Sequence, residues 1–371
     1  MAYKTKYAVE LWSADGVRIC EITHLVRNLY YTEERNEAEV LQFGMDLDAF
    51  ENYLKNNVKA DVLSNFREGQ TEIKLKENGE YLFGTQLYYA PIDLNQDGSA
   101  TINVTAQGYL NFFKDRYPDP TVSYVDSESV GIFYDLVRNA QEVPNGDYGI
   151  ILPDVGDYYE TGVLRDRTYE LYTSSVKLNM QRLTNLENGN FDFKFWADKT
   201  LMTYPQIGSP RTDFLIDFNR TTKRSTFDRA TLNRGANNLF NQVIGVGSGF
   251  GADQLISIKN DTASQVEFGL RQTAVQFNEV KVQATLDENT QARLDKVKTL
   301  LRMPQITLSG ADLPATRIEI GDILPCRFTG RKLIEDMTGL YRVERKEVKV
   351  DENHFIKEMT LFFEKTGEYV G

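Results

Sequence analysis

Asn241-Gln-Val-Ile-Gly-Val-Gly-Ser-Gly-Phe-Gly251 is the stretch that separates two fold classes. Its Gly-x-Gly invites a phosphate-binding loop, which needs a strand entering and a helix leaving, with the phosphate on the helix N-terminus. The residues that follow, Gln254-Leu-Ile-Ser-Ile-Lys259, are β-branched and strand-like. Strand, glycine turn, strand is therefore the reading, and a nucleotide-binding α/β fold is set aside.

Working outward toward the C-terminus, Leu294, Val297 and Leu301 line one helical face. The helix is expected over 286–302, with Thr285 and Glu288 as a capping box and Pro304 as its stop. Strands Leu340–Val350 and His354–Glu364 follow, joined by Asp351-Glu-Asn353. Toward the N-terminus the pattern is mixed. Val130, Phe133, Tyr134 and Val137 predict a helix over 127–141, and Val176, Met180 and Leu183 another over 174–186, ended by Asn188-Gly189. Phe191, Phe193 and Phe195 alternate as in a half-buried strand, and Leu201–Tyr204 with Asp213–Phe218 are expected to continue that sheet. At the start, Tyr7–Trp12 and Val17–Ile22 flank Ser13-Ala-Asp-Gly16, and Thr71–Lys76 and Tyr81–Tyr89 flank Glu77-Asn-Gly79, a strong hairpin signal. Ala100–Thr105 adds a strand and 48–57 a short helix. The fold class is mainly β with an α+β insert. Residues 1–110 make a first β module and 111–235 the insert, which can lend strands to either neighbour. Residues 236–371 make a second β module holding the 286–302 helix.

Composition narrows the function. With 371 residues there is room for two or three modules. Lys plus Arg total 42 against 54 Asp plus Glu, a formal charge of −12, which disfavours grip on nucleic-acid phosphates or anionic membranes. Two cysteines, Cys20 and Cys326, make no disulfide framework and sit in apolar β runs as inert thiols. Two histidines, His24 and His354, are too few for most histidine-based metal sites or triads. No signal peptide and no apolar run long enough to span a bilayer is evident.

The remaining candidates for chemistry each have a plainer reading. Asp93, Asn95 and Asp97 open a calcium-loop pattern, but Val104 stands where a bidentate Glu is needed, so a polar turn is expected. Asp154 and Asp157 beside Tyr158 and Tyr159, or Asp192 near Trp196, are the carboxylates a glycosidase pair would draw on. Acids beside aromatics are also ordinary on strands and loops. Lys223, Arg224 and Arg229 form a basic stretch within 220–234, without aromatic interleaving; a solvated loop or subunit contact is the reading. Asn103, Asn219 and Asn260 head sequons that mean little without secretion.

The order of segments says more than any one motif. Asn241-Gln-Val-Ile-Gly-Val-Gly-Ser-Gly249 precedes Val266-Glu-Phe-Gly-Leu-Arg-Gln272, a helix running to Arg302-Met-Pro304, and Ile318-Glu-Ile-Gly-Asp-Ile-Leu324. This succession resembles the tail hub (baseplate hub) family of tailed bacteriophages, including the hub-like N-terminal region of siphophage tail-associated proteins. Gln272 stands where that family commonly has Glu, Pro325 follows the Gly-Asp strand, and Arg116-Tyr-Pro118 is similar to the end of the family's first module. The resemblance implies two tube-type β-barrel or sandwich domains per chain in a trimeric, pseudo-sixfold ring at the virion tail tip, assembled in the host cytoplasm. Such a ring joins the distal tail protein or tail tube to threefold tip, fibre or tape-measure components and lets DNA pass. It implies no catalytic residue, no cofactor and no metal. The chain ends at Gly371, soon after its last expected strand, so no hydrolase domain is expected there. A carbohydrate-active enzyme using a carboxylate pair and a host-surface-binding tail module are the alternatives.

Overall fold

The structure is a computed structural model describing residues 6–369, save 155, 187–188, 278–279, 311–312 and 314–316. The N-terminal part carries β1 (Tyr7–Trp12), β2 (Arg18–Glu21), β3 (Arg27–Glu34), β4 (Val40–Asp46), α1 (Leu47–Tyr53) and α2 (Val62–Asn65). It continues through β5 (Glu72–Glu77), β6 (Glu80–Tyr89), β7 (Ile92–Leu94) and β8 (Ala100–Gly108). The β5–β6 hairpin forms where Asn-Gly predicts it, with Asn78 at φ 52° and Gly79 at φ 90°, the left-handed pair that a two-residue turn requires. In β8, Ile102, Val104 and Ala106 are buried while Thr101, Asn103 and Thr105 point away from the core.

An insert follows, with β9 (Val122–Glu128), α3 (Ser129–Glu142), β10 (Leu164–Tyr169), α4 (Val176–Thr184), β11 (Asp192–Phe195) and β12 (Leu201–Tyr204). Its core is aromatic. Phe133 packs edge-on against Phe191 with centroids 5.3 Å apart, and Tyr134 donates to the Thr203 hydroxyl at 3.1 Å. Asn188, the expected helix stop, lies outside the described residues.

The chain then returns to the large sheet with β13 (Ile216–Asn219), β14 (Arg224–Ser225) and β15 (Arg229–Gly235). A small unit comes next: β16 (Gln242–Val246), β17 (Ile256–Asn260), α5 (Thr262–Phe268), β18 (Gln272–Gln276) and α6 (Gln283–Val297). Finally β19 (Leu301–Ser309), β20 (Ile323–Thr329), α7 (Lys332–Glu335), β21 (Gly339–Val350) and β22 (Ile356–Gly367) complete the sheet.

One path of hydrogen-bonded strands runs β14-β13-β20-β21-β3-β4-β8-β6-β5-β1-β2, with β22, β19 and β15 branching from β21. The sheet thus has an N-terminal lobe and a C-terminal lobe, and β21 is the seam. Its first residues pair with β20, and Arg345–Lys349 pair with Glu34–Tyr30 of β3. A single buried cluster, from Tyr7 and Leu11 to Leu361 and Phe363, runs under both lobes.

Three expectations change. Asp213–Phe218 does not extend the β11–β12 sheet; β13 pairs in parallel with β20 instead, because Ile216 is drawn into the main core. Thr285 and Glu288 make no capping box. The helix starts at Gln283 after Val282, which caps nothing, so Thr285 already lies in the first turn. The helix also stops at Val297 rather than 302, and Pro304 lies inside β19 opposite Leu232. The ladder from β19 to β22 begins only at Gln305, so the missing N–H of Pro304 breaks no bond on that side.

Candidate assembly face

The expected turns and motifs turn out to be structural. Asn241, fully buried, donates to the Gly269 carbonyl at 2.8 Å and accepts from the Arg271 amide at 2.8 Å, tying the start of β16 to the entry of β18. Gly245 lets α6 approach: a Cβ there would sit 2.0 Å from the Thr290 hydroxyl. The glycine turn leads into β17, with no helix of the length a phosphate cradle requires. In the Gly-Asp motif, Gly321 has φ 85° and its Cβ would meet the Ile207 carbonyl at 2.0 Å. Asp322 accepts from the amides of Ser209 and Glu319, each at 3.0 Å, and from Arg211 at 2.9 Å. The family-like residues therefore pin chain crossings.

The acids do likewise. Asp97 accepts from Ser99, and Asp93 accepts from the Asn103 side chain at 2.6 Å, closing the β7–β8 turn on itself. Asp154 and Asp157 are exposed in one turn, whereas Asp192 is buried. Asp192 accepts from Arg35 at 3.0 Å, from Arg342 and from the Ile207 amide at 2.8 Å, joining the insert to β21 and the β3–β4 corner. A carboxylate held this way has no free lone pair aimed at a substrate. Among the described residues no group of three His, Cys, Asp or Glu is placed to hold a metal ion. Both cysteines are buried and free; burial pushes the Cys20 thiol up to about 11 and Cys326 further. No helix among the described residues is long and apolar enough to cross a membrane.

What remains is a surface. Register carries one row of residues across eight strands: Arg229, Thr307, Thr360, Glu347, Thr32, Val40, Gln107 and Gln86. A parallel row runs Ser309, Glu358, Lys349, Tyr30, Gln42, Thr105 and Tyr89. The rows alternate with core side chains such as Ile306, Leu361, Tyr31, Leu41 and Val104, so both lie on the face opposite the core, although Thr307 and Thr360 are themselves buried there and hydrogen-bond each other at 3.3 Å. Seven strand spacings give this face a contour of roughly 34 Å measured along the sheet. Its charges largely cancel: Arg345 pairs with Glu347, and Lys349 with Glu358 at 3.0 Å. Most of the rest is Thr, Gln or Ser, on a chain whose net charge is −12. A shallow cleft of 480 Å³ between Arg27, Gln42, Asp46 and Asn103 opens on the same face.

At its β6 end, where Gln86 lies opposite Glu72, this face is covered. The Tyr109 ring occupies the space above Gly84, and Lys199 meets Glu72 of β5 at 2.5 Å. The seam itself is a buried ion pair, Lys346 of β21 with Glu33 of β3 at 2.6 Å, both almost fully buried. Burial works against the Glu33 carboxylate, but Lys346, Lys194 and Arg317 outweigh it and hold its pKa below the ordinary range. Sequence reasoning missed this pair, because Glu33-Glu34 and Arg345-Lys346 read as solvated charge runs.

No protein-family model matches the sequence, and no curated protein matches it. Solved structures do match. The tail protein from Neisseria meningitidis MC58 aligns over 97% of each chain with a TM-score of 0.62 at 12% identity. The 43 kDa tail protein of prophage MuSo2 from Shewanella oneidensis aligns over 97% of this chain and 98% of its own, with a TM-score of 0.61 at 13% identity. Prophage tail protein gp18 from Listeria monocytogenes EGD-e aligns over 98% and 95%, with a TM-score of 0.57 at 10% identity. Nearly the whole chain therefore has the fold of phage tail proteins, the fold that the order of its segments implies.

Proposed function

We propose that this chain is a structural tail-tip hub of a phage or phage-like particle. In this reading the two lobes are tube-type β-barrels, and three copies place six of them in a ring that joins the tail tube or distal tail protein to threefold tip components. Heterologous contacts closed by rotation allow one chain to meet both symmetries. The observation that carries the reading is the two-lobe sheet face. It is continuous through the β21–β3 seam, and its ion pairs leave it nearly free of net charge. Three such faces make a channel wall past which DNA moves without being held, since retention needs cations facing the phosphates. The β7 edge offers a neighbour something else: Leu94, Ile92, Tyr88 and Tyr89 are exposed there, a surface suited to the adjoining tail protein.

A structural role asks nothing of Asp154, Asp157 or Asp192 as catalysts. Multi-angle light scattering on the purified chain tests the assembly, with a trimer expected. A strict monomer at all concentrations, unable to enter tails, would overturn the hub reading.

A further inference from the structure

We propose that the trimer contact is electrostatic and directional: a basic end of the C-terminal lobe docks on the acidic N-terminal lobe of a second copy. This rests on the ring assembly proposed above and names the surfaces that would form it.

The chain's charge is unevenly placed. Residues 1–108 hold ten Lys and Arg against seventeen Asp and Glu, whereas 216–235 hold five against two. Folding sharpens this contrast. The β13–β14 turn presents Arg220, Lys223 and Arg224, and the turn before α7 brings Arg331 and Lys332 beside them. Gly330 makes the approach possible, since its Cβ would lie 3.1 Å from that of Arg220. All five cations are exposed, and none forms an ion pair among the described residues. Leu333, 70% exposed, adds an apolar contact on α7. Nearby Asp217 and Asp336 are already taken, by Arg327 and by Arg302 with Arg234, and Glu335 of α7, exposed beside the patch, accepts from the Gly330 amide at 2.8 Å.

The position of this patch matters as much as its sign. β14 is one free end of the strand path, and β2 is the other. Around β2 the exposed acids are Asp15 in the β1–β2 turn, Glu21 on the strand, and Asp48 and Glu51 on α1; Arg18 of β2 is exposed as well and pairs with Glu10 at 3.0 Å and Glu21 at 3.8 Å, and Lys55 and Lys59 follow α1. The Tyr53 hydroxyl bonds the Glu21 carbonyl at 3.1 Å, which fixes α1 against that edge. A positive patch at one end and a lobe of net negative charge, seventeen acids to ten bases, at the other is a charge layout suited to a head-to-tail ring, steering the right ends together and repelling like ends.

The test is sedimentation of the full chain at low and high salt, for the wild type, R220E/K223E/R224E and the milder R220Q/K223Q/R224Q. Wild-type association is expected to weaken at least tenfold from low to high salt. The reversal should dissociate it at low salt, with the neutral variant in between. Mixing the reversed chain with E21K/E51K should restore assembly. Far-ultraviolet circular dichroism and melting checks that the variants fold. A wild type that stays monomeric overturns the ring itself. A wild-type trimer indifferent to salt and to these substitutions overturns only the docking. A gel shift with duplex DNA completes the test: retention by the wild type, lost on reversal while the trimer persists, would assign the patch to a polyanion and overturn the proposal.

Discussion

The hydroxyls of Tyr7 and Tyr31 meet 2.9 Å apart, although β1 and β3 lie five places apart in the sheet. Across a flat sheet that separation would be roughly 24 Å, so the N-terminal lobe is curled until its two sides touch. Tyr7 also donates to Glu77 at 3.0 Å, and Glu77 meets Arg317 from the other lobe at 2.7 Å. Tyr7→Phe keeps the ring and removes the closing bond, leaving buried partners short of one. A loss of about 1–3 kcal/mol is expected in urea unfolding. An unchanged midpoint would mean that packing alone holds the curl.

The seam gives a pH-dependent prediction. Because the Glu33 pKa is depressed in the fold, its contribution is present above the ordinary carboxylate pKa of 4.5 and is lost as pH falls through the lower, folded value. Lys346→Met leaves Glu33 buried without its partner and is expected to cost about 3–5 kcal/mol at neutral pH. The penalty should shrink toward pH 3, where Glu33 can be protonated. Adding Glu33→Gln should recover much of the loss. Urea titrations across that range check both points.

Much of this architecture was legible in the sequence, and the gaps have physical causes. Local signals were strong where one turn or one face decides the outcome, as at Asn78-Gly79, in α3, and along Met359, Leu361 and Phe363. β3 and β4 went unnoticed because a bulge between Arg27 and Tyr30 breaks the alternation and buried Glu33 looks like surface. α6 carries little apolar periodicity, so its ends were set by nearby cap and stop residues that do not act. Pairings such as β21 with β3, Gly321 with Ile207, or Gly330 beside Arg220 join residues a hundred or more apart, and no local pattern encodes them. Asp192 was noticed for its carboxylate, but its role depends on Arg35 and Arg342, which only the fold brings to it.

Glu39 should oppose stability at alkaline pH. It is buried beside a cavity of 40 Å³ lined by Glu33, Glu34, Arg35, Glu37, Lys194 and Glu319. Burial pushes its carboxyl up to about 7 from an ordinary 4.5; Lys194 opposes the rise, and Glu33 and Glu37 add to it. The folded state therefore holds a proton that the unfolded chain releases between those values. Stability contributed by this group falls as pH rises through that window and stays low above it. Glu39→Gln removes the effect. It should be more stable than the wild type at pH 8, on the order of 3 kcal/mol, and equal to it near pH 4. Melting curves at the two pH values decide; a constant difference would contradict it.

Gly208 and Gly321 are expected to be intolerant of any side chain. Gly208 has φ 79°, and its Cβ would fall 2.1 Å from the Gly321 carbonyl carbon, while Gly321 is blocked in turn by Ile207. Backbone meets backbone here, so no rotamer change relieves the clash. Gly321→Ala should cost more than about 3 kcal/mol, well beyond the usual left-handed penalty of about 1 kcal/mol. Gly98→Ala, at φ 86° with open space around it, serves as the control for backbone strain alone. Equal losses at the two positions would argue against the crossing as the cause.

The nearly neutral sheet face makes the final prediction, because its charge balance is what the proposed channel requires. Gln42, Thr105 and Gln107 lie on neighbouring strands β4 and β8, with Gln42 directly opposite Thr105. None of the three is buried, so lysines can replace them without entering the core. Q42K/T105K/Q107K adds three cations to each chain, hence nine around a three-copy ring. Each phosphate neutralised releases a counterion and steepens the salt dependence of DNA binding. The wild type should show no retention of duplex DNA in a gel shift at about 50 mM salt, and the variant should bind at low salt and let go as salt rises. In particles, the variant should slow genome release while tails still assemble. If the triple variant ejects DNA at the wild-type rate, this face does not line the channel, and another surface must.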